Sequence, residues 1–179
     1  MESKIQNIRF DEKVAERTKR AMQYTNEHEA ELEPRAITIE LKKEDNFLST
    51  ASRPGTDLKW CADESKDRGG TGKGPSPLSY FLSSMGFCQF VHYAEHAMVD
   101  GIRLASLEMR VDGTIVTRRP RRFTEVTYEV RINSPESEET IRRLASQAAD
   151  DCYVTNTLKR SCKVTGTIIH NGRKIDIHV

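Results

Sequence analysis

The stretch from Gly69 to Asp100 constrains this chain most. A glycine-rich segment, Gly69-Gly70-Thr71-Gly72-Lys73-Gly74, runs through Pro75-Ser76-Pro77 into a long apolar segment with one thiol, Cys88, at its middle. Ser76 is a good N-cap, because its hydroxyl can accept from the free amides of a first turn, and Pro77 suits the first helical position, where no N–H is needed. Leu78, Phe81, Leu82, Met85, Cys88 and Val91 then recur at three- and four-residue steps, while Tyr80, Phe87 and Phe90 add apolar character to other faces. Such a helix must be wrapped by protein rather than water. Polarity rises only in His92-Tyr93-Ala94-Glu95-His96, and Asp100-Gly101 offers a stop.

The remaining segments say what could do the wrapping. Residues 10–33 read as a charged helix with a thin apolar side (Val14, Ala15, Thr18, Ala21, Met22 and Thr25), ended by Pro34. They define an N-terminal helical extension, 1–34, ahead of a domain spanning 35–179. Residues 36–43 alternate through Ile37, Ile39 and Leu41; 46–53 and 58–62 follow as further strands, with Arg53-Pro54-Gly55-Thr56 as the second turn. After the long helix, 103–116 and 123–132 alternate as a hairpin whose tip carries Arg118-Arg119-Pro120-Arg121-Arg122. Asn133-Ser134-Pro135-Glu136 repeats the cap-then-proline device and opens a helix with Ile141, Leu144, Ala145 and Ala148 inside, ending near Asp151-Cys152. A strand over 162–170 and the Asn171-Gly172 hairpin signal complete the chain. Runs of strands separated by single helices indicate an α+β fold with antiparallel sheets packed around a long buried central helix. One subunit of 179 residues offers limited sheet to enclose that helix, so an obligate homodimer is expected.

Charge and composition exclude several classes. Lys and Arg number 28 against 27 Asp and Glu, a net charge of +1, which gives no general attraction to nucleic acid or to an anionic membrane. The arginine-rich tip lacks interleaved aromatic residues that would stack bases and reads as a solvated turn. No apolar run reaches a membrane-spanning length, and the amino terminus lacks the features of a secretory signal, so a cytoplasmic location is expected. Four cysteines, Cys61, Cys88, Cys152 and Cys162, are too few and too scattered for a disulfide scaffold. Reduced thiols are the baseline, with Cys61 and Cys162 assigned structural roles on strands.

Two local patterns suggest other chemistries and carry little weight. His92-Tyr93-Ala94-Glu95-His96 has the spacing of an inverted zinc-peptidase motif, yet no third ligand follows. Gly69 to Gly74 invites comparison with a phosphate loop, but no Gly-Lys-Ser/Thr junction precedes the helix. A loop that lets backbone approach the helix entry closely is the better account.

The glycine-rich approach, Met85-Gly86-Phe87-Cys88 and the later Cys152-Tyr153-Val154-Thr155-Asn156-Thr157-Leu158 together resemble the two cysteine signatures of the OsmC/Ohr family, the osmotically inducible and organic hydroperoxide resistance proteins. The likeness extends over about residues 36–169. It implies an intertwined homodimer with the central helices buried between antiparallel sheets. It also implies a thiol-dependent peroxidase, in which the cysteine matching Cys88 attacks the peroxide, becomes a sulfenic acid and is captured by the cysteine matching Cys152 as a disulfide. No bound cofactor is implied; an external dithiol or lipoyl-type reductant resets the pair. Family enzymes carry a helix glutamate nine or ten residues before the first cysteine, paired to an arginine; here those positions hold Ser79 and Leu78. Arg53 and Arg68 are candidate substitutes that no motif selects between, and His92, one turn beyond Cys88, is a further candidate cation beside a purely structural role. The alternative is a domain of the same fold that binds a small ligand or senses redox state without peroxidase turnover.

Overall fold

In the computed structural model of the protein, which describes residues 8–160, 167–170 and 173–176, the long helix forms as α2, Pro77–Asp100. Ser76 caps it by accepting from the Ser79 amide at 3.2 Å, Pro77 occupies its first turn, and Gly101 ends it in the left-handed conformation at φ 67°. Ahead of it lie α1 (Glu12–Glu27) and three short strands, β1 (Glu40–Lys43), β2 (Ser49–Ser52) and β3 (Lys59–Ala62). After it come β4 (Ser106–Val116), β5 (Arg122–Asn133), α3 (Glu138–Asp151) and α4 (Tyr153–Lys159), then β6 (Thr167–His170) and β7 (Arg173–Asp176). Among the described residues the strands form three antiparallel sheets, ordered β1-β2-β3, β4-β5 and β6-β7. The class is therefore α+β with antiparallel sheet.

Several boundaries differ from those expected, each for a local reason. The first helix begins two residues late because Asp11 caps it, accepting from the Val14 amide at 3.1 Å, and it stops at Glu27 where His28 leaves helical geometry. A separate tight turn, Glu29–Glu31, takes up part of the remainder. Strand β1 starts at Glu40, since its partner runs only from Ser49 to Ser52 and leaves nothing to pair with Ile37. Helix α3 is capped by Ser137, accepting from Thr140, rather than by Ser134, whose hydroxyl instead donates to the Arg103 carbonyl. Helix α4 has no counterpart in the sequence reading. Val154, Thr155 and Thr157 depress its propensity, and its cap is Cys152, an uncommon capping residue. Cys162 and the Asn171-Gly172 turn lie outside the described residues.

Helices and the β4–β5 hairpin share one core, in which Tyr93 and Ala97 of α2 meet Ile102, Leu104, Leu144 and Ala148. Leu144 and Ala148 were expected on the inner side of α3. On α2 the buried face overlaps the anticipated stripe only in part: Met85 of that stripe is buried, with Gln89, Tyr93, His96 and Ala97 beside it, while Leu78, Phe81 and Val91 are exposed in the single subunit. A helix apolar on most sides does not encode which side its own chain will cover.

The glycine-rich segment is organised by Asp63. Its buried carboxylate accepts from the backbone N–H groups of Glu64, Thr71 and Lys73 at 2.8, 2.9 and 3.3 Å and from the Thr71 hydroxyl at 2.6 Å. These bonds hold its acidity strong, with a pKa lowered to about 2, chiefly through the Thr71 hydroxyl. Gly70 is required there, because a Cβ would come within 1.9 Å of the Glu64 carbonyl oxygen. The loop amides thus serve an internal carboxylate, and the close approach that Gly70 permits is to the Glu64 backbone rather than to the helix entry.

Candidate functional site

Cys88 and Cys152 meet where α2 passes the junction of α3 and α4. Cys152 ends α3 and caps α4, accepting from the Thr155 amide through its sulfur at 3.4 Å; it is fully buried. Cys88 is partly exposed on α2, and its thiol lies against the Cys152 thiol and the Tyr153 and Val154 amides. Both cysteines are free thiols. Burial, more than any other cause, pushes the Cys88 thiol above its ordinary pKa; the Cys152 sulfur adds to this, and the two amides oppose it. A Gln89 amide nitrogen donating to the Thr155 hydroxyl at 3.0 Å, in the interior, ties α2 to α4 and so fixes one cysteine relative to the other.

Cys88 opens into a groove of about 800 Å³. One wall is α2 with Val91, His92 and Glu95; another is the α3–α4 junction with Tyr153 and Asp151; α1 supplies the third through Met22 and its neighbours. Ala15, Thr18 and Met22, the partly buried stripe of α1, are thus the positions that seat this helix beside α2. The groove mixes apolar surface with both signs of charge, Arg160 being its arginine.

The proposed cationic substitutes fall in different places. Arg68 is paired with Glu64 at 3.1 Å, and neither it nor Arg53 lines the groove. Ser79 is engaged with the Ser76 cap, the two hydroxyls 2.9 Å apart, and Leu78 faces outward. His92 does line the groove: its Nδ1 lies 2.8 Å from Glu95 Oε2 and its ring centroid 6.0 Å from that of Tyr153. His96, in contrast, is buried with its Nε2 2.7 Å from Asp151 Oδ2, so the two histidines of the zinc-like pattern serve different carboxylates. Cys61 sits on β3, its sulfur 3.5 Å from the Lys73 carbonyl, away from the other two thiols. Sequence reasoning missed the Tyr153 and Val154 amides, Gln89 and Arg160. An unrecognised α4 concealed the first two, and only tertiary packing reveals the others.

The fold is thus that of a mixed α+β domain carrying a paired-thiol groove, and comparison with known proteins places it. The family model described as OsmC-like protein matches residues 70–166, more than half of the chain. The protein belongs to the OsmC-like family. The match covers α2 and the Cys152 motif and begins after β3, a narrower span than the residues suggested. Among solved structures, an OsmC-like protein from Mycoplasma pneumoniae superposes with a TM-score of 0.64 at 23% identity, covering 72% of this chain and 91% of that one. An organic hydroperoxide resistance protein from Legionella pneumophila gives 0.53 at 16%, with 70% and 92% covered. A Vibrio cholerae protein assigned to organic hydroperoxide resistance, solved with captopril in one of its active sites, gives 0.54 at 15%, with 72% and 88% covered. At these identities the likeness is one of fold. No curated protein matches the chain in sequence. Among the described residues no helix is long and apolar enough to cross a membrane.

Proposed function

We propose that the protein is a thiol-dependent peroxidase that reduces organic or hydrogen peroxides through a Cys88/Cys152 cycle, working as a homodimer in a reducing cytoplasm. The observation that carries this reading is the contact of a fully buried thiol, Cys152, with a partly exposed one, Cys88, that opens into a groove large enough for an organic peroxide. Names of the structural neighbours, which include hydroperoxide resistance proteins, add support. In the reaction the Cys88 thiolate attacks the terminal oxygen of ROOH; an S–O bond forms, the O–O bond breaks, and the departing alkoxide takes up a proton to leave as alcohol. The Cys152 thiol, as thiolate, then attacks the Cys88 sulfur and releases the hydroxyl as water. An external dithiol, of lipoyl type, reduces the disulfide and restores both thiols.

Dimerisation is supported by the surface the subunit leaves open. Ile37 and Leu41 are 79% and 76% exposed and Phe87 66%, large apolar side chains that a second copy would cover.

A second reading, a ligand-binding or redox-sensing domain without turnover, is favoured by the raised Cys88 pKa and by Ser79 and Leu78 in place of the glutamate. Mass spectrometry after peroxide treatment, with dithiol consumption under cumene hydroperoxide, separates the two. The peroxidase forms a Cys88–Cys152 disulfide and turns over above a Cys88→Ser control. A Cys88 that stays a thiol in excess peroxide overturns the proposal; a disulfide without turnover establishes the second reading.

A further inference from the structure

Cys88, His92 and Glu95 occupy steps i, i+4 and i+7 of α2, so the three lie along one face of the helix, and all three line the same groove. Glu95 Oε2 is 2.8 Å from His92 Nδ1. With the Nδ1–H donated to that carboxylate, the tautomer leaves Nε2 as the basic nitrogen, on a ring whose side chain is only 12% exposed. Residues at i and i+4 have Cβ atoms about 5–6 Å apart, so His92 stands one turn beyond Cys88 on the helix face that lines the groove. The helix therefore carries a thiol, a base and an orienting carboxylate in the order a nucleophile needs.

We propose that His92 is the general base and acid of the Cys88 reaction and that Glu95 is its positioning residue, in place of the glutamate and arginine that family enzymes use. This rests on the peroxidase reading. His92 Nε2 takes the proton from the Cys88 sulfur, giving a thiolate beside an imidazolium. The thiolate attacks ROOH, and the imidazolium returns the proton to the departing alkoxide, so that thiol and peroxide become sulfenic acid and alcohol with no proton left over. The other charged or titratable groups facing the groove are Asp150 and Asp151 at the end of α3, Tyr153 of α4, and Arg160 beyond it; Asp151 is held by His96. Helix α1 contributes only neutral side chains, Ala21, Met22, Thr25 and Asn26.

The test is the rate of Cys88 alkylation by iodoacetamide from pH 5 to 9, followed by mass spectrometry on the full-length protein. The wild type should show a reactive limb with an inflection well below the alkaline rise of an unassisted thiol. His92→Gln should lose that limb and react at least about tenfold more slowly at pH 7, keeping only the alkaline rise. Glu95→Gln should shift the inflection and give an intermediate rate, with thermal midpoints recorded to exclude misfolding as the cause. Superimposable profiles for the wild type and both variants would overturn the proposal. Loss of peroxide turnover with the limb intact would sink the peroxidase reading and leave the activated thiol standing.

Discussion

The two halves of α2 have similar apolar composition and opposite fates. From Gln89 onward the helix is covered by its own chain except along the groove, where Val91 stays exposed: Tyr93 is 2% exposed and Ala97 1%, with Leu144 and Ala148 of α3 packed against them. Before Cys88 it is covered on one side only, where Met85 is 4% exposed. Leu78, Phe81 and Phe87 face outward, and the chain's own support there comes mainly from one side, through the β4–β5 hairpin and the Phe81–Phe123 stack at 4.8 Å. Cys88 marks the boundary between them. The enclosed half fixes where the thiol sits and which groups it meets, whereas the open half marks the surface that a second subunit would cover. On the proposed reading a single helix serves as core for one chain and interface for two, and the proposed nucleophile falls where the roles change.

Breaking the open half should have the largest effect. Phe87→Asp places a charge in the middle of the proposed interface while touching nothing in the subunit's own core, so sedimentation at micromolar concentration should show a monomer where the wild type is a dimer. If the wild type is itself monomeric, the reading of that face is wrong. Breaking the enclosed half should cost less in assembly and act directly on the subunit. Leu144→Ala leaves a cavity under Tyr93 and should lower stability by about 2–5 kcal/mol in urea unfolding, with the dimer retained. Equal sensitivity of oligomeric state to both substitutions would erase the distinction between the halves.

Much of this was legible in the residues and some of it was not. The α2 boundaries were visible because Ser76, Pro77 and Gly101 each act through local backbone geometry, which needs no tertiary information. The inner side of α3 was visible through Leu144 and Ala148, since polar neighbours leave that helix one apolar stripe. The inward face of α2 was not, as every face competes for burial and only the positions of α3 and β4 decide. Among site residues, Cys88 and Cys152 stood out through their motifs, yet their juxtaposition depends on α4, a short helix of weak propensity. His92 was noticed for its spacing from Cys88. Its Glu95 partner was read instead as part of a zinc-like pattern, because a sequence shows spacing without showing which carboxylate each imidazole holds.

The smallest effect at neutral pH, and the sharpest in its pH dependence, belongs to the loop that feeds the open half. Asp63 is held ionised by four hydrogen bonds, and its folded-state pKa of about 2 lies below the ordinary 3.8. Because the folded value is depressed, the unfolded chain binds the proton more readily. The stabilisation from Asp63 is therefore fully present above about pH 4 and lost as the pH falls through about 2. Asp63→Asn removes the titration and cannot reproduce a charged acceptor for Thr71 and Lys73, so the stability difference between variant and wild type should be greatest above pH 4 and narrow steadily toward pH 2. A difference that stays constant across that window would mean the carboxylate's charge contributes nothing, and that the loop is held by the shape of its glycines alone.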